Sequence, residues 1–278
     1  RRAVDDARDA VAALAGCRPG EVVFTSGGTE ADVAALTGAA GALGPDTVVV
    51  VSPVEHAAVG DTADALGRAG HRVRRPAVDG RGRIANATAA LVDALAGDAP
   101  AVVSVGLANN EVGTIHPLDE IASVLAGRRG PTVLHTDAVQ AAAWLDLPRA
   151  AGAADLVSLS GHKLGGPKGV GALIVRDGTP WAPLLHGGGQ ERGRRSGTPN
   201  VPGIVGLGVA ARLLLDEREH LAATVAARRD HLATELVPRL ADLVPGAVET
   251  VAGAGAGGRD HVLPGHLHLC LPGVAADE

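Results

Sequence analysis

The 278-residue chain contains no Met and no Tyr, and only one Phe, two Trp and two Cys. With Phe24, Trp144 and Trp181 as the whole aromatic set, there is no series of rings to stack on bases. A formal charge of −6 leaves no basic footprint either, so composition counts against a nucleic-acid partner. Cys17 and Cys270 are too few for a disulfide framework. No apolar run reaches membrane-spanning length and no signal-peptide pattern opens the chain, so the expectation is a cytoplasmic protein without a membrane partner. The missing Met, together with a helical period already running at Val4, Ala7, Val11 and Leu14, reads as a start that has been lost.

Lysine is also scarce. Of 25 basic residues only Lys163 and Lys168 are lysines, and both lie in Ser160-Gly-His-Lys-Leu-Gly-Gly-Pro-Lys168. Arg stays protonated, whereas a Lys amine can lose its proton in a desolvated site and attack a carbonyl. A lysine kept among arginines is therefore a candidate for Schiff-base chemistry; chance survival of two lysines is the plainer alternative.

Short β-branched runs alternate with Ala/Leu-rich helical stretches. Strands are expected at Glu21–Thr25, Thr47–Ser52, His71–Arg74, Ala101–Val105, Thr132–His135, Asp155–Ser158 and Val170–Val175. Helices are expected near 30–41, 57–69, 87–96 and 118–127. Runs such as Val48–Val51 do not alternate, as strands covered on both faces do not. The alternation predicts an α/β domain with a mainly parallel sheet sandwiched by helices. A large domain is expected over 1–215 and part of a small α+β domain over 216–278. A long helix over 203–243 should break near Pro238, followed by a strand at Ala247–Val251, the low-complexity loop Ala252–Gly258 and a strand at His266–Leu271.

Open α/β sheets place ligands at the carboxyl ends of their strands, and five polar segments stand there. Ser26-Gly-Gly-Thr-Glu30 runs straight into a helix and could hold a phosphate on backbone amides, or be an ordinary N-cap by Ser26 or Thr29. Pro53-Val-Glu-His56 offers an imidazole to stack or shuttle protons, or simply to start a helix. Asn109-Asn-Glu-Val-Gly113 is either turn chemistry or a carboxylate site. Asp137, just past a buried strand, needs a partner such as a cationic ring nitrogen or an Arg. Ser160-Gly-His-Lys163 would suit a phosphorylated aldehyde bound covalently.

Two rival sites fail or weaken on inspection. Gly161 and Gly166 have P-loop spacing, but Pro167-Lys168-Gly169 follows where Lys-Ser/Thr is required. His266, His268 and Cys270 alternate along one strand, about 7 Å apart, which is wide for one tetrahedral ion, so no metal is expected.

Taken together, Phe24-Thr-Ser-Gly-Gly-Thr-Glu30, Val54-Glu-His56, Asn109-Asn-Glu-Val-Gly-Thr114, His135-Thr-Asp-Ala-Val-Gln140, Ser160-Gly-His-Lys163 with Gly166-Pro-Lys-Gly169, and Gly187-Gly-Gly-Gln-Glu-Arg192 with Arg195-Ser-Gly-Thr-Pro-Asn200 resemble the cysteine desulfurases. These are pyridoxal-phosphate enzymes of the class V aminotransferase fold (fold type I), and the Gly-Gly-Gly-Gln-Glu-Arg form resembles the branch serving iron–sulfur clusters and tRNA thiolation. The resemblance implies pyridoxal 5′-phosphate as cofactor, with Lys163 bonding its aldehyde. It implies Asp137 on the ring nitrogen, His56 over the ring and assisting proton transfer, and Gln140 on the phenolic oxygen. Thr29, Ser160 and His162 would hold the phosphate, Gly28 would belong to the cofactor site, and Asn110 would lie near the cofactor oxygen and the substrate carboxylate. Thr198 would reach the phosphate of a neighbouring subunit, implying a homodimer. L-cysteine is the implied substrate, with a sulfur-acceptor or iron–sulfur scaffold protein as partner. Val33 stands where the family usually has Asn. The family carries its nucleophilic cysteine in a loop beyond the last residue here, with a substrate-carboxylate Arg further on. Neither Cys17 nor Cys270 matches that position, so little persulfide formation is expected of this chain. The alternatives are a relative acting on another amino acid, such as selenocysteine, and a catalytically silent scaffold.

Overall fold

The computed structural model describes residues 2–84, 87–95, 97–249 and 261–274. A first helix, α1 (Arg2–Ala15), leads to strand β1 (Val22–Thr25) and helix α2 (Gly28–Leu43). Then follow β2 (Val48–Val51), α3 (Ala57–Arg68), β3 (Arg72–Arg74), α4 (Ala87–Ala94), β4 (Ala101–Ser104), α5 (Leu118–Ala126), β5 (Thr132–Asp137), the short α6 (Leu147–Ala150), β6 (Leu156–Ser160) and β7 (Gly171–Val175). The long α7 (Val201–Leu243) carries the chain across the expected 215–216 boundary to a two-stranded sheet of β8 (Val248–Glu249) and β9 (Leu269–Cys270).

Seven strands form one sheet in the order β1-β7-β6-β5-β4-β2-β3. Only β7 opposes its neighbours; all other pairings are parallel. In β2, β4, β6 and β7 every residue is buried, and apart from Ser104, Ser158 and Ser160 their sequences are apolar runs with no polar alternation. One face packs against α2 and α3 through Ala31, Ala35, Leu36, Val59 and Ala63 over Val49, Val102, Val133 and Leu173. The other face is covered by α1, α5 and α7 through Val11, Leu14, Ile121, Ile204 and Leu207 over Val50, Val103 and Leu134. Both layers rely on Ala and Val, so helices can approach the sheet closely.

Two expectations are corrected. The helix does not break at Pro238; α7 runs through it to Leu243. The hydrogen bond that Pro238 cannot make would have gone to the Thr234 carbonyl, and Thr234 is exposed, so water can take that place. The last strand is Leu269–Cys270 rather than 266–271, so His266 is not in a strand with Cys270. Instead His266 Nε2 lies 3.2 Å from the Asn110 carbonyl oxygen. The expected loop 252–258 lies outside the described residues, as does part of the expected strand 247–251.

Candidate active site

The carboxyl ends of β2, β4, β5 and β6 surround a cavity of about 280 Å³. Gly28, Thr29, His56, Asn110, Asp137, Gln140, Ser160, His162 and Lys163 all line it. Thr198 does not; it stands in a separate recess with Ser26, Gly169 and Asn200.

The start of α2 forms one wall. Neither Ser26 nor Thr29 caps it: Gly27 occupies the cap position and no side chain accepts from the first amides. Ser26 instead uses its backbone N–H to donate to Glu30 Oε2 at 2.8 Å. An uncapped 16-residue helix end leaves amide donors and a positive dipole end facing the cavity, the surroundings an anion needs. Gly28 is required here by contact. A Cβ on it would meet Val139 Cγ2 at 2.8 Å and Ser160 Cβ at 3.3 Å. Ser160 Oγ and His162 Nδ1 lie 2.9 Å apart beside it. Lys163 follows in a single 3-10 turn, Gly161–Leu164, closed by Gly165 at φ 80°.

His56 starts a helix and also faces the cavity. Its Nδ1 accepts from the Ala58 amide at 3.1 Å, capping α3, and its ring lines the cavity. Accepting at Nδ1 puts the proton of the neutral ring on Nε2. The two asparagines divide the alternatives between them. Asn109 Oδ1 accepts from the amides of Glu111 and Val112 and its Nδ2 donates to the Val54 carbonyl, so it builds the turn. Asn110, in contrast, is exposed at the cavity.

The floor is acidic. Asp137 Oδ1 accepts from the Val139 amide at 2.8 Å. Burial raises its pKa, which that amide and the nearby His56 oppose. Two lining carboxyls were missed by the sequence reading, Asp32 and Glu55. Glu55 accepts from the Gly106 amide at 2.7 Å, and burial, with the Asp137 charge, pushes it up to about 8. Asp32 is 1% exposed; burial and then the Asp137 charge raise it well above the ordinary carboxylate range. Both could have been flagged. Glu55 precedes His56 in its motif, and Asp32 stands one helical turn after Thr29, on the same face. Among the described residues no Lys or Arg pairs with Asp137 or Asp32. An acidic floor without a protein cation, opposite an amide-lined anion wall and a lysine, fits a ligand with a cationic ring nitrogen at one end and a phosphate at the other.

The loop bearing Thr198 is tied to this wall. Arg195 bridges to Glu30, while Glu191 is buried between Arg8 and the Phe24 amide, at 2.7 and 3.0 Å. Both Glu191 and Arg192 hold positive φ, 49° and 59°, to make that reach.

Residues 1–251 match the model of the aminotransferase class-V family. The chain is 42% identical over 241 residues to a cysteine desulfurase of Trichormus azollae, covering 87% of this chain and 59% of that protein. It therefore spans about three fifths of the length of such curated relatives. Among solved structures, a NifS-like protein superposes with a TM-score of 0.85 at 34% identity, covering 98% of this chain and 71% of the other. SspA in complex with cysteine superposes with a TM-score of 0.69 at 37% identity, covering 76% and 60%. The chain belongs to the class-V aminotransferase family, whose enzymes depend on pyridoxal 5′-phosphate.

Proposed function

We propose that this chain is the cofactor-binding body of a cysteine desulfurase, which converts L-cysteine and an acceptor thiol into L-alanine and a persulfide. The observation that carries the reading is the convergence of Lys163, His56, Asp137 and Gln140 on one cavity whose opposite wall is the uncapped start of α2. The cysteine desulfurase relative and the cysteine-bound neighbour support the substrate.

When bound, pyridoxal 5′-phosphate supplies an electron sink that stabilises negative charge at the substrate's α-carbon. Lys163 is the amine that would hold its aldehyde, and its Nζ would serve as the base that moves a proton at the substrate's α-carbon. Asp137 holds the ring nitrogen and keeps it protonated. Gln140 would bond the phenolic oxygen, and His56, with its proton on Nε2, would stack on the ring and assist proton transfer. The α2 amides, Thr29, Ser160 and His162 hold the phosphate, and Asn110 receives the substrate carboxylate.

Among the described residues no cysteine lines the cavity. Cys17 is half-buried and burial, with Glu21 nearby, pushes it up to about 11, so it holds little thiolate; Cys270 is exposed in β9. The sulfur-accepting thiol is assigned to neither. The separation of Thr198 from this cavity supports a homodimer in which that loop serves the neighbouring copy's phosphate, and the exposed Val209, Leu213 and Leu215 on α7 suit such a contact. The resulting sulfur would go to an acceptor protein of the iron–sulfur or tRNA-thiolation systems.

The test is to load the chain with pyridoxal 5′-phosphate and titrate L-cysteine, L-selenocysteine and L-alanine against its visible spectrum. Saturable spectral change with cysteine at lower concentration than with selenocysteine supports the reading. A response to selenocysteine alone moves the assignment to another substrate.

A further inference from the structure

The segment that begins at His261 lies against the turn that carries Asn110. Ile115 donates its amide to the His261 carbonyl and Leu263 donates its amide to the Gly113 carbonyl, both at 2.8 Å. Between them Thr114 pairs with Val262 as an antiparallel bridge. Val262 and Leu263 are buried, and α7 holds the segment from the other side. Arg229, itself nearly buried, donates from Nη1 to the Leu263 carbonyl at 3.1 Å.

His266 stands at the end of this clamp and does not line the cavity. Its amide donates to the Leu263 carbonyl at 3.2 Å, a turn that brings the imidazole back over Gly113. Gly113 leaves room for it: a Cβ there would lie 2.5 Å from His266 Cβ and 2.6 Å from its Cγ. The ring thereby reaches the Asn110 carbonyl oxygen, 3.2 Å from Nε2.

The direction of this bond follows from its groups. A carbonyl oxygen only accepts, so Nε2 carries the hydrogen. Nδ1 is buried and meets no hydrogen-bond partner, so nothing on that side competes for the proton. Among the described residues Asn110 makes no other hydrogen bond. The rest of its turn is fixed by Asn109, whose Oδ1 takes the amides of Glu111 and Val112. At an exposed position, the direction of the Asn110 side chain therefore depends on how its own peptide is held.

We propose that His266 is a positioning residue: by holding the Asn110 carbonyl it aims the Asn110 side-chain amide into the cavity, toward the substrate carboxylate. This rests on the assignment of Asn110 to that carboxylate. The segment after α7 thus completes the substrate wall without touching the substrate, through one hydrogen bond to a turn it already clamps.

Nitrogen-15 NMR of the wild-type chain at pH 8, with the ring assigned by its loss in His266→Gln, tests the bond itself. The ring should be protonated at Nε2; protonation at Nδ1 alone would overturn the proposal. The second test titrates L-alanine, which carries the substrate's amine and carboxylate without its thiol, against the visible spectrum of the chain loaded with pyridoxal 5′-phosphate. His266→Ala should weaken L-alanine about fivefold, and His266→Gln, whose amide can still donate, should stay within about twofold of wild type. Affinity for pyridoxal 5′-phosphate should change less than about twofold in either. In an Asn110→Ala background, His266→Ala should bring no further loss. The same loss in that background, a His266→Gln as weak as His266→Ala, or a parallel loss of cofactor affinity would contradict the proposal. The NMR readout needs neither cofactor nor substrate, so a bond missing there sinks this proposal alone. A wild-type chain that binds the cofactor and ignores both L-cysteine and L-alanine sinks the functional reading, and this proposal with it.

Discussion

Arg195 grips Glu30 with two nitrogens, Nε to Oε1 at 2.8 Å and Nη2 to Oε2 at 3.1 Å, and so joins the Thr198 loop to the first turn of α2. The anion wall of the cavity and the loop proposed to serve a second cavity are thereby one mechanical unit. Burial raises the Glu30 pKa, but the Arg195 and Ser26 hydrogen bonds outweigh it and hold it below the ordinary value. A depressed folded-state pKa contributes stability that is present above the unfolded value and is lost as pH falls through the folded one. Glu30→Gln should therefore lower Tm at neutral pH and cost progressively less below about pH 4.3. Thermal melts of the two proteins from neutral to acid pH check this; a constant gap would contradict it.

Glu55 carries the opposite sign. Burial pushes its folded-state pKa up to about 8, above the ordinary glutamate value of 4.5, so the folded chain holds the extra proton between these values. Its contribution to stability falls as pH rises across that window, by up to ~1.4 kcal/mol per pH unit, and levels off above it. Glu55→Gln should become the more stable protein relative to wild type as pH rises from 4.5 to 8. Urea unfolding at several pH values reads this difference directly.

Arg8 and Glu191 are both nearly buried, and Arg8 also stacks over Phe24 at 4.6 Å and donates to the Val22 carbonyl at 2.7 Å. Removing one partner of such a pair leaves a buried charge, at a cost of about 3–5 kcal/mol. Arg8→Met should lose stability on that scale by urea denaturation, whereas exposed Arg239→Met, which breaks the surface pair with Glu235, should lose less than about 1 kcal/mol.

Gly28→Ala puts a methyl group 2.8 Å from Val139 Cγ2. Overpacking of this kind costs about 1–3 kcal/mol. Because the methyl also pushes the α2 start away from Ser160, affinity for pyridoxal 5′-phosphate should fall about tenfold or more, by equilibrium titration. Unchanged affinity would remove the α2 amides from the phosphate site.

The sheet was legible because its central strands are short apolar runs with a polar residue at the carboxyl end, as in Val48–Val51 followed by Ser52. The reversal of β7 was not read, although residues 161–170 are too few for a parallel crossover and predict it. Pro238 misled because a proline's cost depends on whether the orphaned carbonyl meets water, which a single sequence does not reveal. Asp32 and Glu55 were passed over for a related reason. On a sequence a carboxylate reads as solvated surface, and only the packing of α2 and of the turn after β2 shows that these two are buried. The cavity residues were legible as motifs, since each follows a strand end. The recess of Thr198 depends on the path of a loop with two left-handed residues and was visible only in three dimensions.

The most direct measurement is to mix the chain with pyridoxal 5′-phosphate, reduce it with borohydride and map the adduct by mass spectrometry. The account predicts a single reduced adduct on Lys163, lost in Lys163→Arg while phosphate-dependent binding of the cofactor persists. An adduct on Lys168, or on neither lysine, would contradict it.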